Sequence, residues 1–285
     1  MKKFINYIIA IIIPIAFFSC DKIDGPYLRK VDTGNVNTTS KKILLEDFTG
    51  HYCPNCPAAH EVAADLKNQY GKSLIIVSIH AGQLANPSSS GNYSTDFRTV
   101  AGNELYSNFQ VPYDPIGMIN RKAINGNVLV DYNNWGSNIA QMIQDVAIAT
   151  IKIENTYTSS TKQLSVKVES KFLETDDINY KLCVYLTEDS IVAYQKHQNT
   201  ATGLPEDIPN YVHRYVLRDA INGTFGDLIS EDLLEINKTY TTTLAPYTLK
   251  PEWVAQHCSV VAFIYNENTK EVIQVEEAPV IQSRK

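Results

Sequence analysis

From Lys41 onward, short apolar runs alternate with amphipathic stretches, and their order defines the first half of the chain. Ile43 to Phe48 is a brief run broken by Thr49-Gly50, the pattern of a buried strand. Residues 54 to 69 place Ala59, Val62, Ala63 and Leu66 on one face and Glu61, Asp65 and Lys67 largely opposite, which predicts a helix that Gly71 ends. Leu74 to Ile79 has the β-branched content of a second buried strand, so residues 43 to 79 read as a βαβ unit with parallel strands. Residues 85 to 95, rich in Ser, Asn and Gly, carry no period and read as an inserted loop, and 97 to 109 as a helix. Residues 116 to 120 and 127 to 130 then make a hairpin through Asn125-Gly126, and Ile139, Met142, Ile143 and Val146 give 135 to 149 helical spacing.

Beyond residue 149 the period changes. Leu164, Val166 and Val168 alternate with Ser165, Lys167 and Glu169; residues 180 to 186 and 260 to 264 are further strands; and Asn266 to Thr269 joins a last hairpin to residues 272 to 275. Many short strands without an internal repeat predict an all-β sandwich of immunoglobulin-like type. The expected organisation is an α/β domain over 41–149 and a β-sandwich domain over 150–285.

The N-terminus follows a different pattern. Lys2 and Lys3 precede a run from Phe4 to Phe18 that is apolar except for Asn6, shorter than the roughly 20 residues a membrane span needs. It reads as an export signal over residues 1–19. Phe17-Phe18-Ser19-Cys20 resembles a bacterial lipobox, which implies cleavage before Cys20, lipid such as palmitate on its thiol, and a lipidated tether over 20–40. The alternative is an ordinary secretory signal.

Composition narrows the function classes. The chain has 285 residues, 44% hydrophobic and 20% charged, the make-up of a globular protein. Its net charge of −6 becomes −8 once the two lysines of the signal are removed, which argues against nucleic acid as a partner. Five cysteines cannot all pair. Cys53-Pro54-Asn55-Cys56 lies where the first strand hands over to the helix, whose N-terminal N–H groups favour a Cys53 thiolate exposed at the tip. Such a thiolate can attack a disulfide, and Cys56, one turn on, can resolve the mixed disulfide.

The segment from Leu45 to Cys56 resembles the active-site strand and helix of the thioredoxin superfamily. That resemblance implies a thioredoxin-like fold for 41–149, a buried acid at Asp47 that assists proton transfer from the resolving thiol, and an exposed Glu46 beside it. Phe109 to Ile119 resembles the superfamily's cis-proline loop, which implies a cis bond before Pro115, with Pro112 as the competing position. The proline that follows Cys53 is shared with glutaredoxins and periplasmic disulfide oxidases, which suggests an oxidase or isomerase leaning. Asn210 to Gly226 is similar to a segment of the outer membrane protein 28 family, lipid-anchored proteins that join a thioredoxin-like domain to an all-β domain. The resemblance covers almost the whole mature chain and implies an outer-membrane location in the cell envelope, facing the periplasm or the surface.

Other residues leave alternatives open. His213, Arg214 and Arg218 can line an anion site or hold a turn. His51, His60 and His80 near the cysteines make a zinc or copper site conceivable, but the second CxxC or HxxxH spacing is missing, and neither metal nor cofactor is expected. Cys183 and Cys258 are either buried thiols or a structural pair stapling two strands in an oxidising compartment. The resulting expectation is a membrane-anchored thiol-disulfide oxidoreductase in which Cys53, Cys56, Asp47 and Pro115 carry the chemistry. Its partners would be protein thiols and disulfides, an unidentified redox partner, and the membrane through the lipid. The rival is a non-catalytic surface binding or scaffold lipoprotein whose CxxC is a structural disulfide.

Overall fold

The structure is a computed structural model that describes residues 40–199 and 201–281. The signal, Cys20 and the tether up to residue 39 lie outside the described residues. The first half contains β1 (Ile43–Thr49), α1 (Cys56–Tyr70), β2 (Leu74–His80), α2 (Val100–Asn108), β3 (Ile116–Ile119), β4 (Leu129–Val130) and α3 (Trp135–Met142). Then come β5 (Ala149–Thr158), β6 (Gln163–Phe172), β7 (Tyr180–Glu188), β8 (Ile191–Gln198), β9 (Pro205–His213), β10 (Val216–Ala220) and β11 (Asp227–Leu228). The last are β12 (Thr239–Thr243), β13 (Tyr247–Thr248), β14 (Cys258–Asn266) and β15 (Val272–Pro279).

β1 and β2 are buried along their whole length because both faces of their sheet are covered. Their parallel register runs from Ile43 opposite Leu74 to Thr49 opposite His80, and β3 lies antiparallel on the other side of β1. Ile43, Leu45, Leu74 and Ile76 pack against Ala59, Ala63 and Leu66 of α1 and Trp135 and Ile139 of α3. Leu44, Phe48, Ile75, Val77 and Ile79 point the other way, towards Ala101 and Leu105 of α2. Each such aliphatic side chain contributes about 1.5–3 kcal/mol by leaving water.

The expected boundary near residue 149 does not divide the main sheet. One nine-stranded sheet runs β15-β14-β7-β10-β2-β1-β3-β4, with β11 pairing β7. β10, from the second half, joins β2 through Val216 opposite Ser78, and the Ser78 amide donates to the Tyr215 carbonyl at 2.8 Å. The sandwich is therefore built on the outer strands of this long sheet. Val166, Val168 and Phe172 of β6, from a second sheet made by β5, β6, β12 and β13, pack on Leu182, Val184, Val260 and Ile264. A third, two-stranded sheet of β8 and β9 lies apart from both.

Two expectations are corrected here. Cys183 and Cys258 are both buried free thiols. In the antiparallel ladder of β7 and β14, Cys183 stands opposite Phe263 while Cys258 stands opposite Glu188, five residues along the strand. That offset separates them by about 17 Å at 3.4 Å per residue, far beyond the 7 Å a disulfide tolerates. Glu46 is also not exposed. It is fully buried and forms a two-pronged pair with Arg121, Nε to Oε2 at 2.7 Å and Nη2 to Oε1 at 2.6 Å. The guanidinium lies over the rings of Phe109, Phe263 and Tyr265, so this pair ties β1 to β14 of the second half.

Candidate functional site

β1 delivers its C-terminal end to a tight loop that carries the two cysteines. Gly50 is required there: a Cβ would stand 2.4 Å from the Leu84 carbonyl carbon, and Tyr52 N–H donates to Leu84 O at 2.9 Å. The Cys53 amide donates back to Gly50 O at 3.0 Å, and α1 begins at Cys56 with Pro57 in its first turn, where a missing N–H leaves no helical bond unmade. Cys53 and Cys56 are joined by a disulfide. The first turn of α1 carries no acidic side chain, so the positive end of its dipole faces this disulfide unopposed.

Asp47, on β1, is completely buried, and among the described residues neither of its oxygens has a hydrogen-bond partner. Burial pushes its pKa well up, and the nearby Asp114 adds to the effect. Asp114 is itself pushed up to about 7 by burial. The Asp114–Pro115 bond is cis, and the strand it leads into pairs Ile116 with Phe48 and Gly117 with Asp47. Asp47, Pro115 and the disulfide loop therefore meet at one end of the sheet, and Pro112 is not the cis residue.

The thiol expected at the helix tip is not exposed. Cys53 is 1% exposed and Cys56 not at all, because the β8–β9 hairpin from the second half lies across them. Lys196 N–H donates to His51 O and Gln198 N–H to Pro54 O, each at 2.8 Å. The buried Gln195 amide donates to Cys53 O at 2.9 Å and to Gly50 O at 3.2 Å. Tyr93, from the inserted loop, stacks on Tyr52 at 4.4 Å and donates to Asp207 of β9 at 2.8 Å. The sequence pattern singled out the loop and the Asn210–Gly226 segment but not Gln195, a polar residue within a strand of mixed polarity that carries no motif.

Beside Asp47 a cavity of about 240 Å³ is lined by His60 of α1, Ser78 and His80 of β2, and Tyr211 and His213 of β9. His60 Nε2 is 3.4 Å from Asp47 Oδ2 and 3.0 Å from Thr49 Oγ1, while its Nδ1 is 2.7 Å from the Tyr211 hydroxyl. Burial lowers the pKa of all three histidines: His60 to about 4, His213 to about 3, and His80 well below the usual value. Burial thus favours the neutral form of each.

The geometry weighs on the remaining alternatives. Cys53 and Cys56 are bonded to each other, His51 Nε2 is engaged by Asn86 O at 3.0 Å, and among the described residues no group of three or more His, Cys, Asp or Glu has metal-binding geometry. Arg214 pairs with Asp189 at 2.9 Å and Arg218 with Glu188 at 3.0 Å, so these arginines are already neutralised by carboxylates. His213 ends β9 and Arg218 lies within β10, and among the described residues neither ring nitrogen of His213 has a hydrogen-bond partner.

Residues 102–284 match the family "Outer membrane protein Omp28". The chain belongs to this family. Its location is the outer membrane, as the resemblance to that family implied. The matched Omp28 region includes the cis-proline loop and the whole second half but begins after the disulfide loop, so it does not extend over the CxxC as the layout suggested. Among solved structures, HBP35 of Porphyromonas gingivalis is similar over 85% of this chain and 76% of its own, with a TM-score of 0.61 at 15% identity, a likeness of fold. A domain of the outer membrane lipoprotein Omp28 from Porphyromonas gingivalis is 27% identical over 49% of this chain and 93% of its own, with a TM-score of 0.31. No curated protein matches the sequence. Among the described residues no helix is long and apolar enough to cross a membrane.

Proposed function

We propose that this Omp28-family chain is a thiol-disulfide oxidoreductase acting on protein disulfides, with a thioredoxin-like first half and a lipid anchor at Cys20. The observation that carries the reading is Asp47: a buried acid without a hydrogen-bond partner, on the strand that leads into the disulfide loop. Such a group destabilises the fold and is superfluous to a permanent staple, whereas a disulfide that opens must exchange protons as well as electrons. The cis Asp114–Pro115 bond at the same end of the sheet supports the same reading.

In the reduced protein, the Cys53 thiolate attacks one sulfur of a substrate disulfide and expels the other as a thiolate. Cys56 loses its proton, attacks the Cys53 sulfur, and releases the second substrate sulfur; the Cys53–Cys56 bond forms as two electrons pass to the substrate. Redox titration of the full chain with thiol alkylation tests this. A reversible Cys53/Cys56 couple and mixed disulfides trapped by Cys56→Ser are expected. A disulfide that resists reduction in the native state, with no exchange on a disulfide substrate, overturns the proposal.

A second reading is favoured by the 1% exposure of Cys53: a surface binding or scaffold protein in which the disulfide pins the loop beneath the β8–β9 hairpin. The same titration separates the two.

A further inference from the structure

We propose that His60 and Tyr211 form a proton path between Asp47 and solvent that serves the Cys56 step, an inference that rests on the oxidoreductase reading above. The imidazole of His60 lies between the two groups, with Nε2 3.4 Å from Asp47 Oδ2 and Nδ1 2.7 Å from the Tyr211 hydroxyl. An imidazole accepts a proton on one nitrogen while releasing one from the other, which a hydroxyl or amide in that position does only with rotation. The 3.4 Å approach is longer than a mature hydrogen bond, as is usual for acid–base partners before substrate arrives. Tyr211 is half-buried in the lining of the cavity, which also includes the exposed Glu61, Val212 and Arg214.

The other titratable groups leave this route as the connected one. Burial and, after it, Asp114 on the cis-proline side raise the pKa of Asp47, so the carboxyl holds its proton until His60 takes it. His80 and His213 face the cavity from β2 and β9, and among the described residues His80 has no partner on either nitrogen. Arg214 is held by Asp189.

The step balances. The Asp47 carboxyl passes its proton to His60 Nε2, while Nδ1 gives one to the Tyr211 oxygen and the Tyr211 hydroxyl proton leaves for water. The Asp47 carboxylate so formed takes the Cys56 thiol proton, and the Cys56 sulfur displaces the substrate thiolate from Cys53. The released thiolate takes a proton from solvent. No oxidant beyond the substrate disulfide is needed.

The test uses the full chain in detergent, reduced and then mixed with dithiodipyridine, which yields one thiopyridone when Cys53 attacks and a second when Cys56 resolves. His60→Gln and Tyr211→Phe should each slow the second phase relative to the first by about ten-fold near neutral pH and flatten its pH dependence, a smaller loss than the roughly 10²–10⁴-fold of a group that acts directly on the reacting atom. Tyr211→Phe removes only a hydroxyl in the cavity lining, so it remains informative if His60→Gln fails to fold. An unchanged second phase in Tyr211→Phe, or in both variants, overturns the path. If Asp47→Asn slows that phase while neither of the others does, the path fails and the oxidoreductase reading stands. If the wild-type protein never releases a second thiopyridone, both fail.

Discussion

Gln195 donates its side-chain amide to the carbonyl oxygen of Cys53 at 2.9 Å, so a residue 142 positions further along the chain holds the disulfide loop closed. The hairpin that carries Gln195 is attached by polar and ring contacts: among the described residues Gln195 and His213 are its only fully buried ones, and none of its described side chains belongs to the three apolar clusters. Elements attached in this way open at lower free energy than the core.

Gln195→Ala removes the amide from Cys53 O and Gly50 O and should cost about 1–3 kcal/mol in urea unfolding. It should also speed native-state reduction of Cys53–Cys56 by dithiothreitol, read by alkylation and mass. Reduction as slow as in the wild type would mean that the hairpin does not control access.

Asp114 governs a pH dependence whose sign is fixed by its raised pKa of about 7. The folded state holds the proton more tightly than the unfolded chain, where the carboxyl titrates near 4. Its stabilising contribution is complete below about pH 4 and is lost as pH rises towards about 7. Asp114→Asn escapes that loss, so its stability relative to wild type should rise across this window and then level off, by about 2 kcal/mol for this half-buried carboxyl. The lowered histidines act in the opposite sense. Their contribution is present above about pH 6.5 and is lost on acidification, so wild type and variant must be compared at each pH.

The buried Glu46–Arg121 pair makes a prediction about the join between the halves. Arg121→Leu leaves the Glu46 carboxyl group without its partner in the core and should cost about 3–5 kcal/mol. Adding Glu46→Leu should recover most of that loss. Thermal unfolding of the two variants measures the difference, and equal losses in both would assign the effect to the stacked rings.

Non-reducing denaturation followed by alkylation should label Cys183 and Cys258 and leave Cys53 and Cys56 unlabelled until a reductant is added. Failure to label Cys183 and Cys258 would contradict the register of β7 and β14.

Local pattern made much of the first half legible. The strand from Ile43, the helix carrying Ala59, Ala63 and Leu66, and the strand from Leu74 each bury a periodic face, and periodicity is a property of neighbouring residues. The acid at Asp47 and the cis bond before Pro115 were legible through resemblance. What escaped depends on distant pairings. Glu46 reads as a surface charge until Arg121, 75 residues on, meets it. Cys53 reads as an exposed nucleophile until β8 and β9 cross it, and no pattern within Ile191–Gln198 states what that strand will cover. Cys183 and Cys258 suit a pair by compartment, but only the register tells that they are five positions out of step.

The pairing of Val216 with Ser78 has a consequence for anyone who would cut the protein in two. A chain ending at residue 149 would leave β2 as a sheet rim, with the Ser78 amide deprived of Tyr215 and the apolar side chains of Ile75, Val77 and Ile79 stripped of their packing against Tyr185, Leu217 and Phe263. An open, apolar rim is a template for strands of other molecules. The isolated first half should therefore self-associate more readily than the whole chain, in which the second half covers that rim.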